Sequence, residues 1–155
     1  MRRVLAIDTN LLVLLIVRTA SPAFIARHKR TQTFTSEDFQ LLQILIGRAD
    51  ACVFTPHVLA KASNLIRQFA NPGLQQILEI VRRVIEGGRE VRARSAVAVR
   101  RPEFRYLGLT DAALLTIDDD DVTLLTDDFD LYRASLSAGR KPINFSHERE
   151  TWFGV

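Results

Sequence analysis

The sequence predicts a single α/β domain in which helices cover both faces of a parallel sheet. Short apolar segments of the strand type alternate along the chain with longer amphipathic segments of the helix type. This alternation is typical of parallel sheets, in which a helix connects neighbouring strands through a right-handed crossover. The chain has 155 residues and shows no internal repeat or linker-like segment, so one domain spanning residues 1–155 is expected.

Four segments have the composition of strands. The first, Arg3–Ile7, is almost continuously apolar, as expected of a strand that is buried on both faces of a parallel sheet. The other three predicted strands are Ala51–Thr55, Asp121–Leu125 and Pro142–Phe145. The spacing between them leaves room for helical connections throughout.

The predicted helices begin at recognisable capping residues. Thr35 or Ser36 caps one helix, and Thr55 followed by Pro56 starts another that is expected to reach Phe69. The other predicted helices are Asp8 to about Val17, Leu74–Ile85, the almost wholly apolar Leu109–Ile117, and a last long helix from Asp127 to about Ser137. A polar and basic connection is expected over residues 18–35.

Composition narrows the class of protein. Hydrophobic residues make up 47% of the chain and charged residues 25%, as in ordinary globular proteins. The single cysteine, Cys52, excludes a disulfide framework and fits the reducing cytoplasm. The longest apolar run, Leu11–Val17, is too short to span a bilayer, and no cleavage-site pattern indicates a signal peptide. We therefore expect a cytoplasmic protein without a membrane anchor.

The charges are separated along the chain. Residues 89–105 contain six arginines against Glu90 and Glu103, whereas residues 111–130 contain eight aspartates and no basic residue. A basic segment followed by an acidic one could hold a polyanion such as RNA beside a site that binds cations. Two solvated surfaces of opposite sign are the alternative. The candidate RNA-binding residues are Arg89, Arg92, Arg94, Arg100, Arg101 and Arg105.

Aspartates follow or face the predicted strand ends. Asp8 ends the first strand, Asp127 and Asp128 follow the third, and Asp111 opens an otherwise apolar helix. Functional clefts of open parallel sheets lie at the carboxyl ends of the strands, so these carboxylates are expected to converge there. Each aspartate alone could be a helix cap. Together they would repel one another unless a cation neutralised them, and carboxylates without histidine or cysteine favour Mg²⁺ or Mn²⁺.

Four motifs together resemble those of a PIN domain, in register from about residue 3 to residue 145. They read V-L-A-I-D-T-N-L-L, T-P-H-V-L-A-K-A-S-N-L-I, L-G-L-T-D-A-A-L-L and V-T-L-L-T-D-D-F-D-L. The resemblance implies a three-layer α/β/α sandwich with a central parallel sheet of four to five strands. It also implies a metal-dependent ribonuclease, a class that includes the VapC-type toxins of bacterial toxin–antitoxin pairs, for which an antitoxin protein would be a partner.

The resemblance assigns roles to individual residues. It implies Asp8, Asp111 and Asp128 as metal ligands and catalytic residues, with Asn10 as the polar neighbour of Asp8. Thr126 matches the family's threonine two residues before the last acid. The remaining candidates for supporting roles are Asn64 and Asp130, of which Asp130 could equally be a capping-box partner in the helix that follows.

Lys61 departs from the family pattern, which usually has a glutamate at this position. On a helix starting at Pro56, Lys61 falls at the edge of the apolar stripe, so its ammonium group is expected near the cleft. It could weaken metal binding or take the place of one cation. Alternatively, its stem packs while the charged head reaches water.

The sequence thus supports metal-assisted hydrolysis of RNA phosphodiester bonds as the first interpretation. A PIN module that binds RNA or protein without catalysis, disabled by Lys61, is the alternative. A phosphatase with Asp8 as nucleophile is disfavoured because Asn10 stands where that chemistry would need a second aspartate. Trp152 and Phe153 either dock onto the body of the protein or form a homodimer contact, and docking is favoured.

Overall fold

The computed structural model describes residues 3–20, 34–68 and 73–154. The strands are β1 (Val4–Ile7), β2 (Ala51–Phe54), β3 (Arg89–Glu90), β4 (Val122–Thr126) and β5 (Ile143–Asn144). The first helices are α1 (Thr9–Ala20), α2 (Ser36–Gly47), α3 (Pro56–Ile66) and α4 (Leu74–Gly87). Further along the chain are the short α5 (Ser95–Ala98), α6 (Phe104–Leu107) and α7 (Leu109–Leu115), then α8 (Phe129–Ser137) and α9 (Phe145–Phe153).

The five strands form one parallel sheet in the order β3-β2-β1-β4-β5. β1 is central, and its Leu5 lies opposite Cys52 of β2 and Thr123 of β4. Helices flank the sheet, which gives the predicted three-layer α/β/α sandwich with five strands. The fold class predicted from the sequence is therefore confirmed.

The most apolar segments form the core. All four residues of β1 are buried, and so are seven residues of α1. α1 packs against α2, α3 and α4, and α3 also packs against α7. The predicted all-round apolar character of α7 is confirmed, because its last four residues are buried between α3, α5, α6 and α8.

Two of the predicted helix starts are confirmed in detail. The Thr35 hydroxyl accepts a hydrogen bond from the backbone N–H of Asp38, whose carboxylate accepts one from the backbone N–H of Thr35. This reciprocal capping box fixes the start of α2. Thr55 caps α3 through the backbone N–H of Val58, with Pro56 at the first helical position.

Several element boundaries differ from those predicted. The helix ending at Ser137 is not the last, because Asn144 caps α9 by accepting a hydrogen bond from the backbone N–H of His147. Phe145 therefore belongs to a helix rather than to a strand. The predicted third strand lies one residue later, since Val122 pairs with Val4. α1 extends three residues beyond Val17.

The strand β3 was not predicted. Its two charged residues carry no apolar alternation, and they are held at the sheet edge only by pairing with Val53 and Phe54. Gly88, just before β3, allows the backbone to lie close to the Phe54 ring, because a Cβ at this position would be 3.1 Å from that ring.

Some predictions fall outside the described residues. Most of the connection over residues 18–35 lies there, and so does Phe69, the predicted end of the helix that begins at Pro56. α3 is described as ending at Ile66. Within the described ranges, none of the helices combines the length and apolar character needed to cross a membrane.

Candidate metal centre

The candidate site lies at the carboxyl end of the sheet, between β1 and β4. After the central β1, the next two strands along the chain, β2 and β3, lie on one side of it. The last two, β4 and β5, lie on the other side. The strand order therefore reverses between β1 and β4, the point at which open α/β sheets place their ligands. Asp8 follows β1 directly, and Asp127 and Asp128 follow β4.

Asp8 is buried, and three donors hold its carboxylate. Only 4% of the residue is exposed. Oδ1 accepts a hydrogen bond from the backbone N–H of Leu11 at 3.1 Å, which caps α1. Oδ2 accepts from the Thr126 hydroxyl and from the backbone N–H of Asp127 at 3.3 Å. Asp8 is thus a helix cap, but its contacts with Thr126 and Asp127 go beyond that role.

Thr126 connects two of the predicted ligand residues. Its buried hydroxyl donates to Asp8 Oδ2 and accepts from the backbone N–H of Asp128 at 2.9 Å. The side chain therefore orients the Asp8 carboxylate and fixes the turn that leaves β4. This position agrees with the supporting role expected of Thr126 from the sequence.

The carboxylates of Asp8 and Asp127 lie in an environment that opposes their ionisation. Burial, followed by the charge of Asp127, raises the pKa of Asp8 from 3.8 to about 8. The hydrogen bonds from Thr126 and Leu11 lower this pKa but do not outweigh the burial. Burial also raises the pKa of Asp127. Asp127 Oδ1 is buried and has no hydrogen-bond partner among the described residues. A bound cation would relieve both conditions.

Asp127 and Asp128 differ in what their side chains contact. The charge of Asp127 raises the pKa of Asp8, whereas Asp128 Oδ1 caps α8 by accepting from the backbone N–H groups of Asp130 and Leu131 at 2.9 and 3.1 Å. The sequence-based ligand set includes Asp128 but not Asp127. Asp127 is therefore a candidate that the sequence analysis left out of its ligand set, although the doublet after β4 pointed to both residues.

Asp111 on α7 is within electrostatic range of Lys61 on α3, a helix that contacts α7. Gly108, the residue that precedes α7, has a φ of 87°, a backbone conformation that favours glycine. Burial raises the pKa of Asp111 to about 6, the positive charge of Lys61 lowers it, and the negative charge of Asp128 raises it. Lys61 itself is exposed, and its charge acts on Asp111; that its ammonium group lies near the cleft stays a prediction.

A second cation, which the sequence analysis did not identify, approaches from α9. The Arg149 guanidinium lies 3.4 Å from Oδ2 of the fully buried Asp38, and its charge lowers the pKa of Asp127. Arg149 therefore spans the capping box of α2 and the acidic site. Nothing in the local sequence signals this contact, because Asp38 and Arg149 are 111 residues apart.

The other candidates for supporting roles are Asn10, Asn64 and Asp130. Asn10 is half-buried and Asn64 is exposed, and neither hydrogen-bonds to the acids within the described parts of the chain. Asp130 is exposed at the second position of α8. It cannot be a capping-box partner, because that role belongs to the third helical position, which Leu131 occupies.

The arginine-rich segment packs beside the helix that carries Asp111. α5 and α6 both contact α7, and His57 Nε2 of α3 lies 2.7 Å from Ser95 Oγ at the start of α5. Arg101 is half-buried and pairs with Glu103 at 3.3 Å. The other five candidate arginines are exposed: Arg89, Arg92, Arg94, Arg100 and Arg105.

The donor atoms suit a hard divalent cation, but the three predicted ligands are not gathered into a finished site. Over residues 3–20, 34–68 and 73–154, no three or more His, Cys, Asp or Glu side chains form a group that could hold a metal ion. Instead, the four carboxylates are linked through their charges. Asp127 raises the pKa of Asp8, and Asp128 raises the pKa of both Asp127 and Asp111. An all-oxygen set of this kind matches Mg²⁺ or Mn²⁺ once side chains close around the ion.

Comparisons of the chain with protein-family models, with curated proteins and with solved structures found no match.

Proposed function

We propose that the protein is a metal-dependent endoribonuclease of the PIN type, which hydrolyses RNA phosphodiester bonds with Mg²⁺ or Mn²⁺. The observation that supports this proposal best is the buried Asp8, next to Asp127, at the point where the strand order reverses. Burial and a neighbouring negative charge raise the pKa of Asp8 to about 8. Shifts of this size are concentrated at functional sites.

The residues of the site would have different roles in such a reaction. Asp8, Asp111 and Asp128, with Asp127, would hold the ion, and Thr126 would keep the Asp8 carboxylate in place. When bound, the ion would supply a water of lowered pKa and positive charge beside the phosphate. The exposed arginines of residues 89–105 would hold the RNA backbone, a contact that positions RNA without selecting its sequence.

Lys61 favours a second candidate function, a PIN module that binds RNA without cutting it. Its ammonium group acts on Asp111 where a cation would otherwise be needed. The positive charge of Lys61 would also repel a divalent ion, an effect that water screens in part because Lys61 is exposed. We therefore expect weak cleavage by the natural chain.

The experiment that separates the two functions is a gel-based cleavage assay on total tRNA and a generic RNA in Mn²⁺. It compares the natural chain, Lys61→Glu, and Lys61→Glu combined with Asp8→Asn. We expect Lys61→Glu to cut faster than the natural chain and the double variant to be inactive. Equal cleavage by the natural chain and Lys61→Glu would show that Lys61 does not weaken the site. Absence of cleavage from all three would favour the binding module.

A ribonuclease of this type would act in the cytoplasm, possible partners being an antitoxin protein and a second copy of the chain. Trp152 and Phe153 are 41% and 40% exposed, and the Arg48 guanidinium lies 4.9 Å from the Trp152 ring. Trp152 thus contacts the body of the protein while leaving surface for a partner.

A further inference from the structure

A cavity of about 360 Å³ lies beside β4, toward the amino edge of the sheet. Val122, the first residue of β4, and Leu124 form part of its wall. Asp120 and Pro142, which precede β4 and β5, also line it. The candidate metal centre lies at the opposite, carboxyl edge, and none of its four carboxylates lines this space. It is called the β4 cavity below.

The walls of the β4 cavity are mainly apolar. Besides the two β4 residues, Leu114 and Leu115 of α7, Ile117 after that helix and Ala6 of β1 contribute to them. The volume is within the range of roughly 300–1,000 Å³ that is usual for small-molecule sites. An apolar cavity of about 150 Å³ is already large enough to bind benzene. The β4 cavity therefore has room for a molecule with at least one ring.

One polar side chain, Ser135 of α8, lies inside the cavity wall. The residue lines the cavity although only 2% of it is exposed. Within the described ranges, its hydroxyl makes no hydrogen bond to another residue. A buried hydroxyl group costs free energy unless it is hydrogen-bonded. A bound molecule with a hydroxyl group of its own could supply the missing partner.

The charged groups around the opening favour neither a cation nor an anion. The Arg140 guanidinium donates hydrogen bonds to Asp118 at 3.1 Å, to Asp120 at 3.3 Å and to the carbonyl oxygen of Ile117 at 3.1 Å. Lys141, which is exposed, also lines the opening. An anion would lie near the exposed aspartates that begin at Asp118, whereas a cation would lie near Arg140 and Lys141. A charged group would also lose its hydration on entering the apolar interior.

We propose that the β4 cavity binds a small uncharged molecule, whose apolar ring or chain fills the cavity and whose hydroxyl group hydrogen-bonds to Ser135. Apolar walls with a few placed polar groups are the usual composition of small-molecule sites, in which the polar groups fix the orientation of the ligand. This site does not depend on the proposed ribonuclease function, because it shares no residue with the candidate metal centre.

The test titrates the full chain at pH 7 with four probes that share one ring, and follows the backbone amide signals by NMR. The probes are p-cresol, toluene, 4-methylbenzoate and 4-methylbenzylamine. We expect saturable shifts around the cavity, with p-cresol binding roughly 3- to 10-fold tighter than toluene, the value of one hydrogen bond between neutral groups. The two charged probes should bind more weakly than p-cresol, since each must give up its hydration.

Variants at two serines of the same helix make the test specific. Ser135→Ala removes the buried hydroxyl, so p-cresol should then bind no more tightly than toluene. Ser135→Leu fills the cavity and should abolish the binding of both probes. Ser137 is exposed and does not line the cavity, so Ser137→Ala and Ser137→Leu are matched controls that should bind like the natural chain. Thermal unfolding checks that each variant is folded.

Several results would overturn the proposal. Absence of saturable shifts with all four probes would mean that the cavity holds only water. Binding of p-cresol that Ser135→Ala leaves unchanged, or that shifts residues elsewhere, would refute the role of Ser135. Tighter binding of either charged probe would refute the uncharged class of ligand. If Ser135→Leu does not fold, the ratio of p-cresol to toluene affinity in Ser135→Ala and Ser137→Ala still decides.

Discussion

The two edges of the sheet both carry clustered aspartates, but the clusters differ in almost every physical respect. At the carboxyl edge, Asp8 is 4% exposed and has a pKa raised to about 8. At the amino edge, the run Asp118–Asp121 precedes β4 and is exposed throughout. There, Arg140 lies 3.1 Å from Asp118 and 3.3 Å from Asp120, whose side chains are fully open to water.

The difference shows that the number of acids does not define a cation site. At the amino edge, the aspartates are exposed to solvent and one arginine pairs with two of them. At the carboxyl edge, Asp8 and Asp127 are desolvated, and the charge of Asp127 disfavours ionisation of Asp8. The run of four aspartates is exposed throughout, as expected of a solvated turn. Burial, rather than charge density, identifies the candidate site.

The largest expected effect is a loss of stability as the pH rises in the absence of metal. Folded Asp8, with a pKa of about 8, keeps a proton that the unfolded chain releases near 3.8. Between these values the folded state binds more protons, so the Asp8 contribution is present at low pH and is lost as pH rises toward 8. The melting temperature should fall by roughly 5 °C or more from pH 5 to pH 8, at about 2–4 °C per kcal/mol.

Two variants make this test specific to one edge. Asp8→Asn should reduce the pH dependence, because it removes the group with the pKa of about 8 and leaves only Asp111 and Asp127, whose pKa values are also raised. Asp120→Asn, at the exposed edge, should keep the slope of the natural chain. Parallel slopes in all three proteins would mean that Asp8 is not the group responsible.

The arginines at the two edges should also differ in their effects. Arg149→Gln leaves the carboxylate of the fully buried Asp38 without its cation, and we expect it to lower the free energy of unfolding by about 1–3 kcal/mol. Arg140→Gln breaks pairs with exposed aspartates, which are typically worth under about 1 kcal/mol. Urea unfolding measures both. A larger loss from Arg140→Gln would reverse the contrast between the edges.

The smallest expected effect concerns RNA held by the arginine-rich segment. Replacing the exposed Arg100 by glutamine should reduce the slope of log affinity against log salt by about 0.7–0.9 if it contacts a phosphate. Arg101→Gln should change the slope less, because Arg101 is half-buried and paired with Glu103. Salt-independent binding of RNA would argue against phosphate contacts by this segment.

The sequence predicted those parts of the fold that are set by local patterns. The apolar run of β1, the helix cap expected at Thr35 or Ser36 and the Thr55-Pro56 start of α3 each depend on neighbouring residues, and the structure contains all three, with Thr35 as the cap. β3 was missed because its two charged residues are held by pairing at a sheet edge rather than by their own pattern. α9 was missed although Asn144 is a good capping residue, because the apolar Pro142–Phe145 segment was interpreted as a longer strand.

The candidate site was predicted in its location but not in its contacts. Parallel-sheet geometry placed Asp8 and the acids after β4 at one edge. Which member of the Asp127–Asp128 pair faces Asp8 depends on the turn that Thr126 fixes, which the sequence does not show. Arg149 reaches the site only because α9 packs on α2, a contact between distant parts of the chain.

The most direct test of the central claim is the change in melting temperature on adding millimolar Mn²⁺, measured on the natural chain, Asp8→Asn and Asp120→Asn. All three are also made with Lys61→Glu, which removes the opposing charge beside Asp111. If the cation binds at the carboxyl edge, Mn²⁺ should raise the melting temperature of the natural chain and of Asp120→Asn. The rise should be larger when each also carries Lys61→Glu. Mn²⁺ should not raise the melting temperature of Asp8→Asn. A rise that survives Asp8→Asn, or no rise in either background, would contradict the assignment.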